Sequence, residues 1–503
     1  MTTVTEPGST TSAPAQPHPR RTRRWIDDWR PEDPEFWAST GQRVARRNLG
    51  WSIFAEHLGF SVWLIWSVSS AFLLAQGFSF TPQQLFLLVA LPNLVGSLLR
   101  LPYTFAVPKF GGRNWTIVSA VLLLVPTLLF AAAVQNPATP YWVFCVIAAT
   151  AGVGGGNFAS SMANINFFYP DSKKGAALGL NAAGGNLGVS LVQLLLPVIV
   201  GGAGIFGLVK ASEHGIHLQT AAYVYAGLAV VATLGAYFFM DNLGTAMSKP
   251  REQLQVVKKP HTWIMAFLYI GTFGSFIGYS AAMPLLIKLN FFVPEPAPLG
   301  TGIYFAYYAF LGAGIGSATR PFGGWLADRF GGAKVTLAAF VGIIVSTLAV
   351  LATLAQLTPN PTADPAIALA NKEWFPLFLG FFLLVFAATG IGNGSTYKMI
   401  PAYWRAEAER STAAGTPERT AAITAATKQA SAAIGVIGAV GAVGGFLIPL
   451  AFSAPWVADP LQATRGAFIV FTCFYVVCAA LTWAVYLRRP RTAAMPGLAG
   501  SRI

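Results

Sequence analysis

Twelve runs of about 20 or more mostly apolar residues divide this 503-residue chain, each long enough to cross the roughly 30 Å hydrocarbon core of a bilayer as a helix. They fall at 51–76, 82–107, 115–135, 141–168, 175–202, 219–240, 261–289, 302–326, 335–356, 374–399, 421–452 and 463–487. In hydrocarbon every backbone N–H and C=O must be paired, and one apolar segment achieves this alone only as a helix. The pattern therefore predicts an all-α integral membrane protein with twelve transmembrane helices. With charged residues at only 10%, a soluble enzyme is excluded.

The net charge of +14 would suit a nucleic-acid partner if it were clustered on one surface, so its distribution decides the matter. With the N-terminus placed in the cytoplasm, 27 of the 33 Lys and Arg residues fall in the cytoplasmic tails, loops and helix ends. Only Lys210, Lys288, Lys372 and Arg465 lie on the other side. This is the positive-inside bias. It predicts a multi-pass protein of the inner (cytoplasmic) membrane with both termini cytoplasmic, a lipid bilayer for its surroundings and no nucleic-acid partner. The expected segments are a tail over 1–48, disordered over 1–19, a first half over 49–240, a basic linker over 241–260, a second half over 261–487 and a tail over 488–503. Trp25, Trp29, Phe36 and Trp37, with charges between them, suggest a segment lying on the inner membrane surface. Cys145, Cys473 and Cys478 sit in apolar runs without metal-ligand spacing and are expected to be core residues.

Two arginines remain, and both lie inside spans. Arg100 precedes Lys109-Phe110-Gly111-Gly112 by nine residues, and Arg320 precedes Arg329-Phe330-Gly331-Gly332 by the same nine. Pro102 and Pro321 follow closely. This is an internal repeat shifted by 220 residues and six spans, so the chain reads as two six-helix halves of like orientation, a carrier architecture. Nine residues of helix place each guanidinium about 13 Å from the cytoplasmic helix end. A charge at such depth costs about 2.5–3.5 kcal/mol on insertion scales, and the spans offer no Asp or Glu expected at that depth. Glu56 and His57 lie about one and a half turns into the first span, where protonation sites and near-interface residues reaching water are both open readings.

The stretch Gly152–Gln193 adds a polar face. Gly179, Ala182, Asn186, Ser190 and Gln193 recur at three- and four-residue steps, as do Asn157, Ser161 and Asn164 on the preceding helix. Between apolar spans such a stripe faces a partner helix or a watery cavity. The Gly435, Gly438, Gly441 and Gly445 stripe of span eleven echoes it.

GGWLADRFGGAK resembles the inter-helix signature of the major facilitator superfamily, with Asp328 and Arg329 as its charged elements. The first half keeps a degenerate copy without the Asp. GNFASSMANINFFYP, ALGLNAAGGNLGVSLVQ, GNGSTYKMIP and AAIGVIGAVGGFLIP together resemble the nitrate/nitrite porters of that superfamily, over spans one to twelve. Gly179, Gly438 and Gly441 belong to the two glycine-rich signature helices. The resemblance implies a site between the halves. Arg100 and Arg320 would clasp nitrate or nitrite, Phe158 and Phe273 would sandwich it, and Tyr269 and Asn186 would complete the polar contacts. No cofactor or metal is implied, and no metal cluster, nucleophile–base pair or signalling domain suggests an enzyme or sensor. The two facing cations favour exchange of nitrate for nitrite. Proton symport through Glu56 or His57 is the other reading, and a small organic anion the rival cargo.

Overall fold

The computed structural model describes residues 24–202, 215–247, 254–291, 303–359, 364–413, 415–454, 457 and 459–488. The expectations for residues 1–19, Lys210, Lys249, Arg251 and the tail beyond Arg488 lie outside the described residues. Among the described residues twelve helices cross the body: α1 Pro34–Gln76, α2 Pro82–Phe110, α3 Gly112–Val134, α4 Tyr141–Phe168, α5 Asp171–Ile199, α6 Leu218–Phe239, α7 Pro260–Phe291, α8 Ala309–Phe330, α9 Gly332–Leu354, α10 Pro365–Ser411, α11 Pro417–Ser453 and α12 Pro460–Leu487. Eleven have the length and hydropathy of a membrane span. The exception, α8, is a full 22-residue helix whose Arg320, Asp328 and Arg329 dilute its apolar character.

Local chemistry marks the helix ends. The Thr81 hydroxyl accepts from the Gln84 N–H, and the Gln84 side chain accepts from the Thr81 N–H, closing a reciprocal cap ahead of Pro82. Asp364, Thr416 and Asp459 cap α10, α11 and α12, each just before a proline whose missing N–H is no loss in the first turn. Helices α2 and α8 both end on glycines in the left-handed φ region, Gly111 at +88° and Gly331 at +93°. A side chain there would be strained, so the two halves turn the same corner with the same residue at repeat-equivalent positions.

One continuous apolar core runs through both halves. The outer helices α3, α6, α9 and α12 present Leu128, Val231, Val345 and Val470 outward, an apolar coat that suits lipid. Helix α4 lies close on its neighbours. A Cβ on Gly154 would come within 2.1 Å of the Gly59 carbonyl oxygen of α1, and one on Gly155 within 2.9 Å of Gly96 Cα of α2. Helix α7 departs from α geometry over Ile270–Gly274, where a wider turn interrupts it; such insertions cluster at functional sites.

Three expectations are corrected. The first helix starts at Pro34, not near residue 49, because Asp33 caps it through the Glu35 and Phe36 N–H groups. Of the aromatic residues expected to anchor a surface segment, Trp29 and Trp37 are turned into the protein. Strand β1 (Trp25–Ile26) pairs in parallel with β2 (Asn242–Leu243) just after α6. Trp29 and Trp37 are buried in a small apolar cluster with Phe168, Tyr169 and Leu243, and Trp29 Nε1 donates to the Phe167 carbonyl at 3.1 Å. Asp241, 5% exposed, is held beside this strap by Arg47, Arg24 and the Asn48 amide, as a buried carboxylate requires. Cys473 faces outward, whereas Cys478 is buried.

Candidate functional site

Arg100 of α2 is fully buried. Its Nε donates to the Gly155 carbonyl of α4 at 3.0 Å, and its Nη1 donates across the halves to the Gly438 carbonyl of α11 at 3.1 Å. Its Nη2 has no partner among the described residues. The guanidinium carbon sits 4.9 Å from the Phe158 ring centre, 4.7 Å from Phe273 and 5.4 Å from Trp63. Cation–π attraction of this kind is worth about 2 kcal/mol when desolvated, and it holds the charge without a direct counter-ion. Arg320 of α8 reaches the same place from the other half. Its guanidinium carbon lies 5.4 Å from the Phe158 ring centre and 5.6 Å from Tyr397, and its Nη1 has no partner among the described residues. Phe158 thus touches both cations, and the repeat-equivalent arginines converge at the interface of the halves.

The aromatic residues do so as well, with one difference from the expected sandwich. The Phe158 and Phe273 rings stack at 25° with centres 6.2 Å apart. A planar group between them needs two contact layers, about 7 Å in all, so in this state the rings lie closer than a sandwich allows. Phe273 sits on the widened turn of α7 and stacks in turn on Tyr269, 5.2 Å away. The Tyr269 hydroxyl donates to Asn393 Oδ1 of α10 at 2.9 Å. Gly441 gives that ring its room, since a Cβ there would meet Tyr269 Cδ1 at 2.4 Å.

Asn186 is fully buried on α5, and neither amide atom has a partner among the described residues. Gly179 is exposed with open space beside it, so it makes no close helix contact. Asp328 pairs with Lys398 of α10 at 2.8 Å, both half-exposed, an ion pair worth about 0–1 kcal/mol. Arg329 lies over Trp325 and Phe330 at the same end. In the first half, where the signature lacks its Asp, Arg113 is held by the Tyr237 carbonyl and by Asn242 Oδ1, which accepts its backbone N–H.

Two readings of Glu56 were open, a protonation site or a near-interface residue reaching water, and the second is removed: α4 and α5 close over the side chain and leave it 1% exposed. Asn181 donates to Glu56 Oε2 at 2.7 Å, and both Arg320 and Arg100 lie within electrostatic reach. The expectation that no carboxylate accompanies the arginines is therefore corrected. His57 turns elsewhere, its Nδ1 3.1 Å from the Gly184 carbonyl. The Asn157, Ser161 and Asn164 stripe faces partner helices: Ser161 meets Ser52 of α1 at 2.8 Å and Asn181 of α5 at 2.6 Å.

A cavity of about 70 Å³ reaches from Arg100, Phe158 and Gly438 past Thr104 towards Pro108 and Phe167, at the end of the bundle that carries the basic loops. That is room for a few waters at roughly 10–15 Å³ each, or one small polyatomic anion. The opposite end is shut by contacts between the halves. Gln193 donates to the Ser280 carbonyl at 2.6 Å, Ser190 donates to the Phe310 carbonyl at 2.9 Å, and Phe72 packs on Phe305 at 5.1 Å. The arrangement is a carrier open at its basic end.

Sequence reasoning missed Trp63, Tyr397, Asn393 and Asn181 as parts of these networks. Tyr397 and Asn393 lie within the GNGSTYK run, which carried the signal without a role for either.

The profile of the Major Facilitator Superfamily matches residues 57–416. The chain is 41% identical over 474 residues to the nitrate/nitrite transporter NarU of Salmonella typhimurium, covering 93% of this chain and 97% of that protein. It is 38% identical over 389 residues to the probable nitrate/nitrite antiporter NarK2 of Thermus thermophilus, covering 75% and 82%. Among solved structures it is similar to a D-xylose-proton symporter, with a TM-score of 0.58 at 14% identity over 89% of this chain and 98% of the other, a likeness of fold alone.

Proposed function

This chain belongs to the major facilitator superfamily, among its nitrate/nitrite transporters, and from that premise we propose how it works. It carries nitrate and nitrite across the membrane. The observation that supports the mechanism best is the convergence of Arg100 and Arg320 on Phe158, with unpartnered N–H groups on both guanidiniums. A guanidinium is planar with forked donors and matches a planar oxyanion. The anion binds between the arginines, and the halves rock around it, exposing the site alternately at the two ends.

The transport mode is exchange. With Glu56 ionised, two guanidiniums and one carboxylate leave one net positive charge in the empty site, and a bound nitrate or nitrite cancels it. Closing protein around an uncompensated charge is costly, so the loaded carrier switches faster than the empty one. Influx of labelled nitrate into vesicles is the test. Internal nitrite should accelerate it, and an internal organic acid should not.

The basic end, where the cavity opens, faces the cytoplasm. The support is the excess of Lys and Arg in the loops at that end. Reporter fusions within 241–260 should be read as inside and within 357–373 as outside; the reverse at either place contradicts the orientation.

A further inference from the structure

Four side chains among the described residues tie the halves together at the end opposite the basic loops, and each is a donor to a main-chain carbonyl. From the first half, Gln193 donates to the Ser280 carbonyl at 2.6 Å and Ser190 to the Phe310 carbonyl at 2.9 Å. From the second half, Lys288 of α7 donates to the Ala71 carbonyl of α1, and the Tyr304 hydroxyl donates to the Gly202 carbonyl. Two of these carbonyls are open for a physical reason. Pro284, inside α7, has no N–H to offer the Ser280 carbonyl four residues before it. Ala71 lies in the final α turn of α1, which ends at Leu73 before a tighter turn, and there the helical carbonyls run out of partners. Lys288 is half-buried, and among the described residues no carboxylate pairs with it.

We propose that this closure becomes an anion entry site when the halves part, with Lys288 as its charge and Gln193 and Ser190 as neutral donors. The proposal rests on the reading of the chain as a nitrate carrier. Opening the outer end separates each donor from its carbonyl, because the two stand on opposite halves. A mouth lined by released N–H and O–H groups and one ammonium without a carboxylate favours a small oxyanion over a neutral solute or a cation. The donors on α5 also continue inward. At 1.5 Å per residue, Ser190 and Asn186 lie about 4.5 and 10.5 Å deeper along that helix than Gln193, and both amide atoms of Asn186 are without a partner among the described residues. The competing role for Lys288 is a static brace that caps the end of α1. The two roles predict opposite changes. Losing a brace frees the outer end to open, which tightens apparent affinity for outside nitrate, whereas losing an entry charge weakens it.

The test is exchange of nitrate for nitrite in right-side-out and inside-out membrane vesicles carrying the full-length protein. It is run in about 10 mM and about 1 M potassium gluconate, where the screening length is about 30 and about 3 Å. Lys288→Gln keeps a side-chain donor for the Ala71 carbonyl and removes the charge. It should raise the KM for nitrate at the outer face about fivefold in dilute salt, the effect of one unit charge at contact distance in water. In concentrated salt the rise should shrink below about twofold. The KM at the face with the basic loops should hardly move, and Lys288→Arg should recover most of the loss. An outer KM that is unchanged or lower, or a rise equal at both salt levels, overturns the entry site and leaves a brace. A rise at the other face as large as at the outer one overturns it as well. Lys288→Met, neutral and of similar length, replaces the glutamine variant if that one fails to insert. Wild-type vesicles that exchange no nitrate would instead overturn the carrier reading on which the comparison depends.

Discussion

Replacing Arg320 by lysine should leave the protein folded and weaken nitrate binding about tenfold to a hundredfold. The lysine keeps the charge that α8 already accommodates, although an ammonium is more strongly hydrated than a guanidinium and costs more to bury. What it loses is the planar fork. Arg320 has Nη1 without a protein partner, and a hydrogen bond to a charged group contributes about 1.5–3 kcal/mol. At ~1.4 kcal/mol per tenfold, one such bond spans the stated range. Arg100→Lys should lose as much, with a second consequence. Arg100 also donates to the Gly155 and Gly438 carbonyls, and the second of these bonds joins the halves at the wall of the cavity. Arg100 meets the two carbonyls from two different nitrogens, whereas a lysine has all three donors on one nitrogen and no fork left to present to the anion. The Arg100 variant should therefore also populate the state shown here less, which cysteine accessibility along Thr104 and Gly435 would register. Equilibrium binding on purified protein checks both, and affinity within twofold of wild type for either contradicts the clasp.

Asn186→Leu should abolish transport while leaving stability equal or higher. Asn186 is fully buried, and neither its amide N nor its O has a partner among the described residues. Unsatisfied buried polar atoms destabilise a fold by about 1–3 kcal/mol each. A residue that carries this penalty serves something other than packing. An amide can donate to an anion and accept from a guanidinium, and either partner could arrive during the transport cycle. Leucine keeps the branched outline and the number of side-chain heavy atoms, is bulkier, and has no polar atoms, so relief of the unsatisfied amide offsets the crowding. Thermal unfolding in detergent and nitrate flux in vesicles separate the two effects. Unchanged flux would make Asn186 a packing residue. A marked drop in melting temperature would mean that the amide binds a partner within the resting fold.

The features legible in the sequence are those with a single physical solution. A long apolar run must be a helix, a left-handed corner selects glycine, and deep arginines at equal spacing in two repeats must meet something. Hence the twelve helices, the shared corner at Gly111 and Gly331, and the pairing of Arg100 with Arg320 across the halves could be read in advance. The features left open or misread depend on what closes over a residue from elsewhere in the chain. Glu56 allows a near-interface reading beside a protonation site until Asn181 and Ser161 cover it from helices more than 100 positions away. Trp29 and Trp37 have the spacing of a surface anchor, but strand pairing at Trp25 and the charge of Asp241 draw that segment inward. The widened turn at Ile270–Gly274 carries Gly271 and Gly274, which the sequence shows and which let Phe340 and the Gly441 carbonyl approach closely. It also needs a reason to insert a residue, and the stacking of Phe273 between Tyr269 and Phe158 supplies one only in three dimensions.

The central claim is an anion clasped by two arginines whose charge must be cancelled before the halves can close. Reconstituted vesicles loaded with nitrite, and matched vesicles free of internal anion, are each given external labelled nitrate at one pH. The account predicts rapid influx into the nitrite-loaded vesicles and slow influx into the others, with the difference abolished in Arg320→Lys. Equal influx in both sets, lost in Glu56→Gln, would contradict exchange and make the protein a proton-driven nitrate symporter.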